Sequence, residues 1–213
     1  MDDEWDAARD EFIDSLYGDF ANEVLEGRSD LHGMVIAQFV SERLRSYYLQ
    51  TPQILGRAHW ALLQARQLLA SYPEASLVFA VTAAEVGLKS GLLKPLLHGL
   101  VHDDTMAAVV SELVPQQRNN RFKDLLFGIL REYGGVDLHT FKRDDVTKTL
   151  WAEIAEIQDA RNQVLHRAGP ADPADAQRAI VIADLILLNL YPALLRKIGL
   201  ESMAYEASMP ISH

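Results

Sequence analysis

A chain of 213 residues, 49% hydrophobic and 23% charged, holds enough apolar material for one domain, or one domain with an elaboration at one end. Its formal charge of -10 argues against broad wrapping of nucleic acid, which needs clustered cations, while leaving room for a small local basic cleft. With no cysteine, disulfides, thiol nucleophiles and Cys-type zinc sites are excluded, and a cytoplasmic address is the expectation.

In chain order, the opening "MDDEWDAARDEF" is acidic, unlike the basic start of a signal peptide. Asp2 to about Leu25 reads as an amphipathic helix with Trp5, Phe12, Leu16 and Phe20 near one face, a core stripe rather than a base-stacking platform. "EGRSDLHG" reads as a break, and Met34 to Leu49 as a second helix closed by Thr51-Pro52. Pro52 to Tyr72 is expected as a third helix. Pro73 and Glu74 suit the first turn of a long fourth one through "SLVFAVTAAEVGLKSGLLKPLLHGL". "HDDTMAAVVSELVP" adds a short helix, Arg118 to Tyr133 another, and "GGVDLHTFKRDD" reads as a loop.

Asp144 or Asp145 is expected to open a helix that stops at Gly169-Pro170. Asp172 then fits an N-cap, with Pro173 at the first helical position and Asp175 in the first turn. That last helix should run to about Ile198, kinked near Pro192 where a backbone donor is missing. "ESMAYEASMPISH" reads as a loose tail. The longest apolar run, "AIVIADLILLNLYPALL", contains Asp184 and Asn189 and falls short of the ~20 residues of a membrane span, so no membrane partner is expected. Nothing alternates like a strand for long. The expected fold is all-α: an up-and-down bundle over 51–198, preceded by a helical extension over 1–50 and followed by a tail over 199–213.

Two charges sit where apolar residues belong. At about 100° per residue, Ile154, Ile157, Val164, Leu165 and Ala168 all project within roughly 60° of Arg161. The same projection places Val78, Val81, Leu88 and Leu92 within roughly 60° of Glu85. An unpaired charge in mid-stripe is costly, so the two helices are expected to pack with Glu85 paired to Arg161. Such a pair serves either as a structural register for two helices or as part of a site. The neighbours bear on the choice. Asn162 and His166 are four apart on one face, and Asp159 precedes Asn162 by three. His166 projects about 140° from Arg161 but lies in the last turn, beside the capped start of the next helix, where phosphate is attracted. A permanent cation, an amide and an imidazole that titrates near neutrality suit phosphodiester cleavage.

The segment "RNQVLH" resembles the R-N-x-x-x-H form of the Arg-x(4–6)-His motif of HEPN domains. "AVTAAEVGLKSGLL", with Glu85 and Lys89, is similar to the second helix of that family, and the likeness covers roughly 52–198. The resemblance implies a compact bundle of four or five helices that dimerises, with Arg and His from both protomers in one cleft. It implies a metal-independent endoribonuclease of a toxin–antitoxin or phage-defence system, without cofactors, and with RNA and a cognate antitoxin or regulatory protein as partners. Carried over, His166 is the acid/base group for attack of the ribose 2′-hydroxyl, leaving a 2′,3′-cyclic phosphate. Arg161 stabilises the phosphorane-like transition state, Asn162 orients the phosphate or His166, and Glu85 positions Arg161. Asp159 and Lys89 stand as supporting residues, and Arg167, Lys89 and Arg178 as a basic rim. A catalytically inert nucleotide-binding or partner-binding module is the alternative the same resemblance allows.

Other constellations carry less. His98 and His102, followed by Asp103 and Asp104, could share a metal, but no Glu follows His98, and surface histidines at a helix end is the reading, with no metal expected. "GLKSGLL" lacks the spacing of a phosphate loop. "RNNRFK" is the densest basic patch, making Arg118 and Arg121 candidate RNA contacts. No nucleophile-elbow signature supports a Ser/His/Asp triad.

Overall fold

A computed structural model describes residues 29–100, 127–128, 130–131, 135–138, 140–144, 146–167 and 169–209. The chain divides into two compact units, Met1–Val40 and Ser41–His213. In the first, the described part is the helical stretch from Ser29. The second holds the later turns of that helix and every other described element.

All regular structure among the described residues is helical, with no strand. Helix α1 is Ser29–Gln50, α2 Gly56–Leu68 and α3 Pro73–Val86, the last continued by a wider π segment, π1, over Gly87–Leu93 and by α4 over Lys94–Leu100. Helix α5 is Leu150–Arg167. Helix α6, Pro173–Asp184, is likewise continued by π2 over Leu185–Leu190 and α7 over Tyr191–Lys197, and α8 is Glu201–Ser208.

The core lies around α3. It packs against α2, α5 and α6, while π1 meets π2 and α8 covers α7 and π2. Leu77, Ala80, Val81 and Ala84 of α3 and Ala179, Ile182 and Ala183 of α6 are all fully or almost fully buried, and the two helices pack on each other. Small side chains on both helices let their backbones approach closely. The buried Ser76 hydroxyl donates to the Ala65 carbonyl at 2.7 Å, joining α2 to α3.

Both long helices change geometry just before a proline. Pro95 lacks the N–H that would serve the Gly91 carbonyl in an α-helix. The buried Tyr48 hydroxyl donates there instead, at 2.6 Å. Pro192 plays the same part after π2. The kink expected near Pro192 is therefore a widened turn, with a counterpart at Pro95 that periodicity alone does not reveal. Gly87 is required where the two π segments touch: a Cβ there would stand 2.6 Å from Leu187 Cδ2.

Several boundaries need correction. Helix α1 begins at Ser29, inside the expected break, and its later turns belong to the second unit, where Leu44 and Tyr48 are fully buried. Residues 52–55 form a turn rather than the start of α2, and α2 ends at Leu68. Helix α5 begins at Leu150, not at Asp144 or Asp145. The Thr149 hydroxyl accepts from the Ala152 N–H at 3.3 Å, while Arg143 is drawn away to Glu153. The expected loose tail is helix α8, held because Ala204 is fully buried and because Gly199 (φ 75°) turns the chain back at the end of α7.

The cap at Asp172 is as expected: its carboxylate accepts from the Ala174 N–H at 2.8 Å. The acidic first helix, "HDDTMAAVVSELVP" and the Arg118–Lys123 patch lie outside the described residues. Continuity through the π segments also corrects the length argument against a membrane span. Pro73–Leu96 and Pro173–Lys197 are long and apolar enough to cross a bilayer, though 61% of each apolar window is buried inside the bundle. Asp184, within the second, pairs with Arg66.

Candidate functional site

Glu85 stands in the last turn of α3, two residues before π1, and Arg161 stands in the fourth turn of α5, which packs against α3. The helices bring the two charges together as their positions on the apolar stripes require. Arg161 Nη1 donates to Glu85 Oε2 at 3.0 Å. The second carboxylate oxygen is also taken: Gln158 Nε2 donates to Glu85 Oε1 at 2.8 Å. Glu85 is thus gripped by two residues three apart on one face of α5.

Arg161 is itself held from a second side. Its Nε and Nη2 donate to Asn162 Oδ1, at 3.3 and 3.1 Å. A guanidinium has five N–H donors, and three are engaged among the described residues. The remaining two have no acceptor among the described residues. With its Oδ1 taken by Arg161, the Asn162 amide keeps its NH2 donors. The chain Gln158–Glu85–Arg161–Asn162 therefore fixes one cation in position and leaves N–H donors on two neighbouring residues.

The pair is less buried than the stripes imply. The side chains of Arg161 and Glu85 are 20% and 22% exposed. The cause lies in how far α5 is covered. Its first half is sealed, with Leu150, Glu153, Ile154 and Ile157 buried. Beyond Ile157 the cover ends: Val164 is half-buried and Leu165 is 57% exposed. Arg161 sits at the edge of the core rather than within it, which is where a charge keeps part of its hydration. Ala168 lies outside the described residues.

The other expected residues distribute as follows. His166 and Arg167 are exposed in the last turn of α5, and Asp159 is exposed a turn below Asn162. Lys89 is exposed on π1. Arg178 of α6 is committed to carboxylates, donating to Glu156 Oε2 at 2.9 Å and to Asp175 Oδ1 at 3.0 Å. Lys148 reaches the same Glu156, and its hydrogen bond, ahead of the two cations' charge, holds that carboxyl below the usual glutamate range. Arg118 and Arg121 lie outside the described residues. So do His102, Asp103 and Asp104, while the ring of His98 stacks on Tyr47 with centroids 4.9 Å apart, and its carbonyl accepts from Arg43.

Two features were missed from sequence. Gln158 had a visible signal, since it precedes Arg161 by three on the same stripe. The pair of Arg143 with Glu153 had none on the arginine side. Arg143 comes from the loop before α5 and binds Glu153 through two parallel bonds of 2.7 and 3.0 Å, with the Glu153 side chain 2% exposed.

Set against known proteins, the chain matches no family model, no curated protein and no solved structure.

Proposed function

We propose that the chain is a HEPN-type bundle acting in the cytosol as a metal-independent endoribonuclease, the toxin or effector of a defence or toxin–antitoxin system. The observation that carries this reading is Arg161: a cation held by three hydrogen bonds to Glu85 and Asn162, with two donors unspent, on the helix whose last turn carries an exposed His166. A register pair alone has no use for a neighbouring amide and imidazole.

In the proposed reaction His166 takes the proton of a ribose 2′-hydroxyl as the oxygen attacks phosphorus. The 5′ oxygen of the next nucleotide leaves, taking its proton from water or from the imidazolium so formed, and the product carries a 2′,3′-cyclic phosphate. Arg161 and the Asn162 amide stabilise the extra charge on the phosphorane oxygens. The uncovered end of α5, with Leu165 exposed beside His166 and Arg167, supports a homodimer in which a second copy covers this face and completes the cleft. RNA is the substrate, and a cognate antitoxin or regulator would keep the enzyme silent.

A second reading, an inert nucleotide-binding or partner-binding module, is favoured by one observation. Arg161 of the motif and Arg178 of the expected basic rim are already paired with Glu85, and with Glu156 and Asp175, respectively. Cleavage of total RNA and tRNA in EDTA by wild type, His166→Ala and Arg161→Ala separates the two, with dimerisation followed by scattering and folding by circular dichroism. The nuclease reading expects cleavage by wild type alone, leaving cyclic phosphate ends, and a loss of about 100-fold or more in each variant. Equal cutting by all three sinks the assignment of Arg161 and His166. Equal inertness of the three folded proteins favours the module.

A further inference from the structure

The side edge of the Arg161 guanidinium is held by a neutral acceptor. A guanidinium grips phosphate or carboxylate through such an edge, where Nε–H and an Nη2–H run parallel toward two oxygens. In Arg161 both of these donors converge instead on one oxygen, Asn162 Oδ1, at 3.3 and 3.1 Å. The other side of the guanidinium is fixed independently. Nη1 donates to Glu85 Oε2 at 3.0 Å, and Glu85 is held in turn by Gln158 at 2.8 Å. Release of Asn162 from the edge would therefore leave the guanidinium anchored to α3.

Asn162 is a replaceable acceptor. Adjacent residues of a helix point about 100° apart and do not face each other, so helix packing does not impose this contact. Both bonds are longer than the roughly 2.7–2.9 Å of a guanidinium on an anionic oxygen. A phosphate brings a negative charge and two oxygens, one for each donor, where the amide offers a single neutral one. The edge is also within reach of a ligand. Arg161 is partly exposed, Asn162 is half-buried, and the cover of α5 ends beyond Ile157. Turning the amide off the edge uses its terminal torsion, which is soft.

We propose that Asn162 is a gate on a site for a backbone phosphodiester. In the arrangement described it closes the side edge of Arg161, and the phosphate displaces it to take both donors. The inference rests on the nuclease reading, because it takes the same arginine as the group that meets the phosphate, and it adds a sign that a plain contact residue does not give. Removing a residue that only donates to a bound phosphate weakens binding. Removing a gate strengthens it, because the apparent affinity no longer carries the cost of opening. Asn162 thus opposes the bound ground state while its amide donors serve the transition state, so its loss separates KM from kcat.

Thymidylyl-thymidine, whose one phosphodiester has no neighbouring 2′-hydroxyl and is not cut, tests the proposal. It is titrated into the full chain while the Arg161 Nε–H signal is followed by 15N NMR, with inorganic phosphate in parallel. Wild type is expected to show a saturable shift of that signal with both probes. Asn162→Ala is expected to bind both about fivefold more tightly, the worth of one net hydrogen bond, and to lower both KM and kcat for RNA cleavage. Asn162→Asp, which puts a carboxylate on the same edge, is expected to bind neither while staying folded by circular dichroism. Should Asn162→Ala fail to fold, Asn162→Ser, too short to span the edge, takes its place. No shift in wild type, equal or weaker binding by the shortened variant, binding retained by Asn162→Asp, or a response to inorganic phosphate alone overturns the proposal. Tighter binding without any RNA cleavage upholds the gate and removes the nuclease reading. Cleavage with unchanged binding removes the gate and leaves that reading standing.

Discussion

Two of the arginine–glutamate pairs that join α5 to the rest of the bundle are built differently from each other. Arg143 and Glu153 meet through two parallel bonds at the sealed start of the helix, where Glu153 is 2% exposed. Glu85 and Arg161 meet through one bond near the uncovered end, each about a fifth exposed, with the spare capacity of both taken up or presented by Gln158 and Asn162. The first arrangement exhausts the bidentate geometry of the guanidinium on one carboxylate and closes a loop onto a helix. The second holds a guanidinium still while leaving part of it free. The same two residue types therefore do different jobs, and the difference is read from donor use and cover rather than from the identity of the pair.

The largest expected effect breaks the first pair. Arg143→Ala leaves a buried carboxylate without a partner and should cost about 3–5 kcal/mol, measured by urea unfolding. Arg161→Ala leaves Glu85 partly hydrated and still bonded to Gln158, and should cost about 1 kcal/mol. Equal losses would remove the distinction between the pairs.

Next in size is the platform under Glu85. In Gly87→Ala the new methyl collides with Leu187 Cδ2 at 2.6 Å and Ile186 Cγ2 at 3.2 Å. That should cost about 1–3 kcal/mol in thermal unfolding. Gly169, with open space around its Cα, should take the same substitution within ~0.5 kcal/mol. A silent Gly87→Ala would mean that the Leu187 and Ile186 side-chain ends have room to shift.

Smaller effects sharpen the comparison. Gln158→Ala should leave the urea midpoint nearly unchanged. If the nuclease reading holds, it should lower RNA cleavage about tenfold by loosening Glu85, with binding of RNA unaffected, because Gln158 acts only as a positioning residue. A loss of stability without a loss of rate would class it with Arg143 instead.

The pH dependence comes from His59. Burial holds its folded value below the unfolded one of about 6.5, so the unfolded chain binds the extra proton between the two. Stability from this group is full above about pH 6.5 and is lost as pH falls from there toward the folded value. His59→Phe should flatten that limb of the stability profile, and an unchanged slope would show that His59 is not its source. The smallest effect belongs to the exposed Glu156. Its carboxyl is held low by Lys148, so its contribution is present above the ordinary glutamate range and fades only as pH drops through the lowered folded value. Lys148→Met should move that fading to higher pH.

The legible part of the site was the part set by periodicity. Arg161 and Glu85 each stood alone on an apolar stripe, and two lone opposite charges on packed helices have one economical solution. Gln158 is visible by the same rule, three residues before Arg161 on the same stripe. The proline that ends each π segment was readable as a missing donor, but the answering Tyr48 hydroxyl lies 43 positions away in sequence. The C-terminal stretch was misread because α8 buries only Ala204, too little to mark a stripe. The start of α5 was misread because Arg143, in the middle of a charged segment, looked like any solvated cation.

By itself the sequence determined the all-helical class, the cap at Asp172 and the meeting of Glu85 with Arg161, since each rests on local spacing or on a single unpaired charge that must be answered. Tertiary structure alone decided which half of α5 is covered, hence that Arg161 stands at an edge with donors to spare. It alone decided that Arg143 is buried against Glu153. Those outcomes depend on where distant helices end relative to one another, and residue spacing along one helix carries no record of that.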